Sequence, residues 1–426
     1  MSKLSTMTKQ ELETLHEELI SAYQAFQAKG LKLDMSRGKP GRDVLDQSNA
    51  MFDRIDDFRS ETGIETRNYG ELAGLPEARR LFGEAFLHVP AEQVIVGGTS
   101  SLTLMFDTVG RAFIRGVLPG MTPWCKLEKV KFLCPSPGYD RHFLICEYYG
   151  IEMITIPMLA DGPDMDLVEQ LVAGDPTIKG IWCVPMYSNP DGITYSDQVV
   201  RRLAAMPTAA EDFRIFWDNA YCVHHLYGAN RDHLLNMYTA CLEAGHQNRP
   251  YLFASTSKVT VAGGGLGAMA MSPDNYAWTL KNLGVQSICF DKVNQLRHCR
   301  FLPDVEAVEK LMDRHAQVLR PKFAVVQETL SAELDGWDIA RWTNPKGGYF
   351  ISFYAPEGCA KQIVARCKEA GLVMTGAGAT YPYGKDPQDS NIRIAPTLPS
   401  VEELAVAMEL FSLVVKLVAV EQKLAE

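Results

Sequence analysis

Apolar residues recur at helical spacing near the start of the chain. Leu12, Leu15, Leu19, Tyr23 and Phe26 fall on one helical face, and Gly30 ends the run. Thr8 followed by Glu11 gives that helix a capping box. From about residue 75 the period changes. Short apolar runs predict strands over Gln93 to Val96, Val130 to Cys134, Glu152 to Ile156, Gly180 to Val184, Phe213 to Trp217 and Tyr251 to Ala254. Helix-length segments separate most of them. Such alternation predicts a largely parallel sheet covered on both faces. After about residue 325 the texture changes to that of a smaller α+β unit. A helix is predicted around Lys361 to Glu369, and a last one from Ser400, with Glu403 completing a second capping box. The stretch from Leu404 to Val420 is interrupted by Glu409 and Lys416, so it reads as a packed helix and not a membrane span.

The 426 residues are too many for one simple core and suggest two or three domains. A net charge of -10 argues against a nucleic-acid partner. Ten cysteines form no C-x-x-C pair, which argues against a metal site. The first residues, MSKLSTMTKQELETL, carry no apolar signal core. Scattered thiols without such a core fit a reducing cytoplasm, with no membrane association.

Ligands of open α/β sheets sit beyond the carboxyl ends of the strands, so the residues after each strand matter most. They are Gly98, Thr99, Ser100 and Ser101 in "GGTSS", Asn189 in "SNPDG", Asp218 and Tyr221 in "DNAY", and Ser255, Ser257 and Lys258 in "STSK". Each has a plain alternative: a surface turn lysine, a common Asn-Pro-Asp-Gly turn, a helix-capping aspartate. Their convergence on one crevice favours chemistry. Pyridoxal phosphate needs such a set: a lysine for the Schiff base, a carboxylate for the pyridine nitrogen, donors to the ring hydroxyl and a cradle for the phosphate.

Six motifs in order resemble the fold-type I aminotransferases of the aspartate aminotransferase superfamily. They are "NYGELAGLPEARRL", "YSNPDG", "DNAY", "STSK", "PKGGYFIS" and "SNIRIAP". Together with "MSRGKPG" and "DKVNQLRHCRFL" they look like the divergent bacterial, MocR-like subgroup. Only about seventy residues precede Tyr69, with no basic recognition helix, so a full-length regulator of that type is not expected. The resemblance implies a large cofactor-binding domain over 61–325 with a mostly parallel seven-stranded sheet flanked by helices. It also implies a small α+β domain over 326–426, and a helix and arm over 1–60 that pack with the small domain.

The resemblance implies roles as well. Lys258 is the Schiff-base lysine, Asp218 pairs with the pyridine nitrogen, and Asn189 and Tyr221 hold the ring hydroxyl. Gly98, Thr99, Ser100, Ser255 and Ser257 serve the phosphate. Tyr69 reaches the partner subunit's phosphate in a homodimer with shared sites, and Asn294, Gln295 and Arg297 are candidates to cross with it. Arg393 clamps the substrate α-carboxylate, near Gly38, and Arg37, Arg297 or Arg300 takes a second carboxylate. Two departures stand out. Leu266 occupies the place of the family's phosphate-binding arginine, and Pro137 that of its stacking aromatic, leaving Tyr139 or His142 for the stacking role.

The activity implied is transfer of an amino group from an L-amino acid, foremost L-aspartate, to 2-oxoglutarate by a ping-pong mechanism. The alternatives are a β-lyase or another aminotransferase acting on a neutral or aromatic amino acid, and a cofactor-binding regulatory protein without turnover. A nucleotide site is disfavoured, because "GGGLG" fits neither G-x-G-x-x-G nor a P-loop.

Overall fold

The computed structural model describes residues 4–426. Its strands, in chain order, are β1 (Leu33–Met35), β2 (Val94–Val96), β3 (Lys131–Ser136), β4 (Glu152–Leu159), β5 (Gly162–Pro163), β6 (Ile178–Cys183), β7 (Arg214–Asp218), β8 (Pro250–Ser255), β9 (Gly267–Ala270), β10 (Arg341–Trp342), β11 (Ile351–Tyr354), β12 (Leu372–Met374) and β13 (Asn391–Ile394).

The main sheet has the order β2-β9-β8-β7-β6-β3-β4-β5. Only β9 and β5 run against the other strands. The sheet therefore counts eight strands where seven were expected. The extra one is the two-residue β5, formed because the chain doubles back after Leu159 and Gly162 adopts a φ of +140°. All six expected strands are present, with ends shifted by at most three residues. β9, which the apolar runs did not announce, slots antiparallel between β2 and β8.

Successive side chains of a strand point to opposite faces, and here both faces are apolar. Leu133, Ile181, Ile215 and Leu252 enter one core with Phe82, Val200 and Leu203. Their neighbours Phe132, Trp182, Phe216 and Phe253 enter another with Leu104, Val109 and Phe143. Burial on both sides explains why the strands read as continuous apolar runs.

A further core gathers the two ends of the chain. Leu12, Leu19 and Tyr23 of the helix Lys9–Ala28 pack with Phe353, Ile363 and Phe411. The Tyr23 hydroxyl donates to the Arg366 carbonyl at 2.9 Å, tying the first helix to the helix Ala360–Glu369. Both expected capping boxes are formed, at Thr8 with Glu11 and at Ser400 with Glu403. The last helix, Val401–Ala425, is buried along the stretch read as a packed helix. Among the described residues no helix is long and apolar enough to cross a membrane. β10, β11 and β13 form a three-stranded antiparallel sheet, and β1 pairs in parallel with β12.

Candidate active site

The carboxyl ends of four strands that run in the same direction, β2, β6, β7 and β8, deliver the chemistry. Asp218 is the last residue of β7, Ser255 the last of β8, and Asn189 and Ser100 follow β6 and β2. With Ser101, Tyr139, Tyr221, Ser257 and Lys258 they line one cavity of about 150 Å3.

Lys258 sits on a turn that Thr256 closes. Thr256 donates its N–H to the Leu266 carbonyl and accepts the Leu266 N–H on Oγ1, both at 2.9 Å. The Lys258 carbonyl accepts from the Tyr349 hydroxyl at 3.3 Å. Its Nζ stands 5.0 Å from the centre of the Tyr221 ring. Burial lowers the pKa of this ammonium, Asp218 opposes that shift and Arg393 adds to it. A lysine so placed is drawn towards the neutral amine, the form that acts as nucleophile or base. Burial also raises the pKa of the Tyr221 phenol, so that it stays a neutral donor.

Asp218 is held on one side only. Its Oδ2 lies 3.1 Å from Nε2 of His142, whose ring stacks on Trp182 at 4.4 Å. Its Oδ1 is buried with no partner. Arg393, on β13, meets the cavity wall through Asn189. It donates from Nη1 to Asn189 Oδ1 at 3.1 Å and to Asp140 Oδ1 at 3.3 Å, and from Nε and Nη2 to Thr375 Oγ1 at 3.3 and 3.2 Å. A guanidinium only donates, so the Asn189 amide turns its oxygen to Arg393 and keeps Nδ2 as a donor for the cavity. Beneath the guanidinium lies the Phe350 ring, 4.8 Å away.

The cradle at the other end is made of amide and hydroxyl groups. Ser100 caps the helix Ser101–Arg115 by accepting the Leu102 N–H on Oγ at 3.1 Å, and the helix opens into the cavity. Gly98 turns with a φ of +67°, and its carbonyl accepts from the Gly267 N–H. A Cβ at Gly267 would lie 2.7 Å from the Ser100 carbonyl carbon, so the absence of a side chain there lets β9 press against the helix start. The Thr99 carbonyl accepts from Ser257 Oγ at 3.4 Å.

These features fit pyridoxal phosphate. An orphaned carboxylate oxygen awaits a protonated ring nitrogen, a neutral phenol and an amide N–H await the ring oxygen, and a helix start with serines awaits the phosphate. When bound, the cofactor supplies an electron sink for negative charge at the amino-acid Cα and a carbon on which an amino group is held.

Residues 7–426 match the model of the family described as aspartate amino-transferase. The chain belongs to that family. This aminotransferase is pyridoxal phosphate-dependent, as the fit of the site requires. It is 50% identical over 408 residues to a protein of Mycolicibacterium smegmatis, covering 95% of each chain. It is 44% identical over 408 residues to the aspartate aminotransferase of Corynebacterium glutamicum, covering 95% of this chain and 94% of that one. The crystal structure of an aspartate transaminase from Corynebacterium glutamicum superposes with a TM-score of 0.95 at 43% identity, over 99% of each chain.

Several site residues stand apart from the cavity wall. Tyr69 is 76% exposed on the single chain. Arg37 is exposed beside Gly38, and Gly38 itself packs against Phe350: a Cβ there would come within 2.3 Å of the ring. Arg297 donates from Nε to Asn294 Oδ1 at 2.7 Å and lies 5.0 Å from the Phe52 ring, beside the glycine run. Arg300 does not face the cavity at all. It is spent on the 54–59 segment, donating to Asp56 Oδ1 at 2.7 Å and to the Arg54 and Arg59 carbonyls. Asn294 and Gln295 are buried within their own chain. Asn294 Nδ2 donates to the Gly264 and Gly265 carbonyls, and Gln295 Oε1 accepts from the Leu75 N–H. Their expected reach to a partner subunit is thus replaced by an internal role. Leu266, at the place of the family's phosphate-binding arginine, is buried in a core.

Of the two aromatic candidates, Tyr139 lines the cavity while His142 is turned to Asp218. The residues missed from the sequence are Asp140, Thr375, Phe350 and Lys292. Asp140 carried only the signal of an acid at a helix start, and Thr375 carried none.

Proposed function

We propose that this aminotransferase takes the amino group of L-aspartate and passes it to 2-oxoglutarate in two alternating half-reactions. The observation that carries the aminotransferase site is the unpartnered Asp218 Oδ1 in the same cavity as Lys258 Nζ. The choice of aspartate is supported by the 44% identical relative named aspartate aminotransferase. In this reading Lys258 holds the cofactor and then moves a proton from the substrate Cα. Asp218, oriented by His142, keeps the ring nitrogen protonated. Asn189 Nδ2 and the Tyr221 hydroxyl donate to the ring oxygen, and Tyr139 covers the ring. Ser100, Ser255, Ser257 and the N–H groups after Gly98 and Thr99 meet the phosphate in place of the family's usual arginine. Arg393 binds the α-carboxylate.

A second carboxylate needs a second cation. With Arg300 occupied, Arg37 and Arg297 supply it. The assembly in this reading is a homodimer, with exposed Tyr69 reaching the partner's site. In this reading the chain divides into 61–325 and 326–426, with 1–60 on the smaller unit, and the packing of Leu12, Leu19 and Tyr23 with Phe353, Ile363 and Phe411 supports it. Ten free cysteines support a reducing compartment, the cytoplasm.

The test compares Arg37→Ala and Arg297→Ala on acidic and neutral amino acids. At least one variant is expected to lose roughly a hundredfold or more in kcat/KM for aspartate, with a small loss for alanine. Equal losses on both substrates, or a wild-type preference for a neutral amino acid, would overturn the aspartate reading and leave the family assignment intact.

A further inference from the structure

Arg393 is more crowded than its task requires. Thr375 fixes two of its nitrogens, Asn189 a third, and Phe350 lies under its plane. Those contacts hold the guanidinium in place. Asp140 adds a full negative charge at 3.3 Å from Nη1. Asp140 is the first residue of the helix Asp140–Tyr149, and the residue before it, Tyr139, makes no side-chain cap. An acid in a first turn commonly answers the helix dipole. Here the carboxylate points at Arg393 instead. The arginine side chain is 6% exposed and the aspartate side chain 30%, so the pair is partly desolvated and one partner remains open to solvent.

Resting on the reading that Arg393 binds the substrate α-carboxylate, we propose that Asp140 is an internal carboxylate that sets how tightly Arg393 holds its carboxylate ligands. It competes with the substrate α-carboxylate for Arg393. A substrate carboxylate that docks on this guanidinium either displaces Asp140 Oδ1 from Nη1 or lies beside a like charge. Both outcomes weaken carboxylate ligands, and both speed their release. The other contacts of Arg393 make Asp140 unnecessary for its position, so removing Asp140 uncovers the arginine without loosening it. The competition bears on every carboxylate ligand alike, which places Asp140 in control of KM and product release and not of the chemical step.

The test uses the holoenzyme and succinate, a dicarboxylate with no amino group to transfer. Its dissociation constant is measured by calorimetry for wild type, Asp140→Asn and Asp140→Ala. Both variants are expected to bind succinate more tightly, on the order of five- to tenfold, since a charge-assisted contact is lost from a partly exposed pair. KM for L-aspartate is expected to fall in parallel, with a smaller change in kcat. Unchanged or weaker succinate binding in both variants overturns the proposal. Arg393→Gln separates this from the underlying reading. If succinate binding and KM are unaffected by Arg393→Gln, the α-carboxylate role of Arg393 fails first. If Arg393→Gln weakens binding as expected, Asp140→Asn in that background is expected to gain nothing. An equal gain there would show a diffuse charge effect and overturn direct competition.

Discussion

Asp218 is bound through one oxygen to His142 Nε2 at 3.1 Å, and its other oxygen is buried without a partner. Native buried polar atoms are nearly always paired, so an unpaired carboxylate oxygen in a cavity marks the place of an absent cation. The expected outcome for Asp218→Asn follows. The amide still packs, and the cofactor still binds. The half-reaction with amino acid slows by roughly a thousandfold, because a neutral amide does not hold the ring nitrogen protonated. Stopped-flow rates of the two half-reactions check this, and a loss below tenfold would make Asp218 a structural residue.

Gly38 has no room for a side chain. An alanine Cβ would stand 2.3 Å from Phe350 Cζ, and that ring supports the Arg393 guanidinium. Gly38→Ala is expected to cost about 1–3 kcal/mol of stability by overpacking and to raise KM roughly tenfold while the cofactor absorbance stays unchanged. A lower melting temperature with an unaltered KM would show that Phe350 yields without disturbing Arg393.

Lys292 is buried, and its ammonium donates to the Asn68 carbonyl at 2.6 Å and to the Gly70 carbonyl at 2.9 Å. It grips the backbone on both sides of Tyr69. Lys292→Met and Tyr69→Phe are each expected to weaken cofactor binding about tenfold, and the two changes are expected to be non-additive. Mixed dimers of inactive Tyr69 and Lys258 variants are expected to recover part of the activity. Additive effects on the cofactor dissociation constant, or no recovery after verified subunit exchange, would detach Tyr69 from a partner's site.

The buried His298 links the Lys258 turn to the helix Lys292–Phe301. Its Nδ1–H donates to the Asn294 carbonyl at 2.8 Å, and its Nε2 lies 3.0 Å from Thr260 Oγ1. Burial pulls its pKa from 6.5 down to about 4. The folded state therefore favours the neutral ring, and between those values the unfolded chain binds more protons. Stability is expected to fall as pH drops from 6.5 towards 4 and to level off below, by about 3 kcal/mol for this group. His298→Asn is expected to be less stable at neutral pH and to show a shallower decline over that window in denaturant melts. An unchanged slope would contradict a neutral buried imidazole.

Much of this was legible because the strands are buried on both faces. Their apolar runs located the six strands, and the segments that follow three of them hold residues lining the cavity: Asn189, Asp218 and Lys258. The capping boxes at Thr8 and Ser400 located the outer helices. β9 escaped notice because Gly267–Ala270 is short and small-sided, shaped by its close approach to Ser100 and not by β-forming residues. The roles of the arginines were not legible either. Arg300 reads like a substrate ligand in sequence, yet its partners lie in the 54–59 segment, and Arg393 meets Asp140 only through the packing of the two cores. Long-range contacts of that kind leave no periodic trace.

The central claim is that Lys258 and Asp218 serve an amino-group transfer from aspartate. It is tested most directly by giving the holoenzyme L-aspartate alone and measuring oxaloacetate per subunit. The account requires a single equivalent, with production resuming only when 2-oxoglutarate is added, and none from Lys258→Ala. Continued product release with free ammonia, or full product from the Lys258→Ala variant, would contradict it.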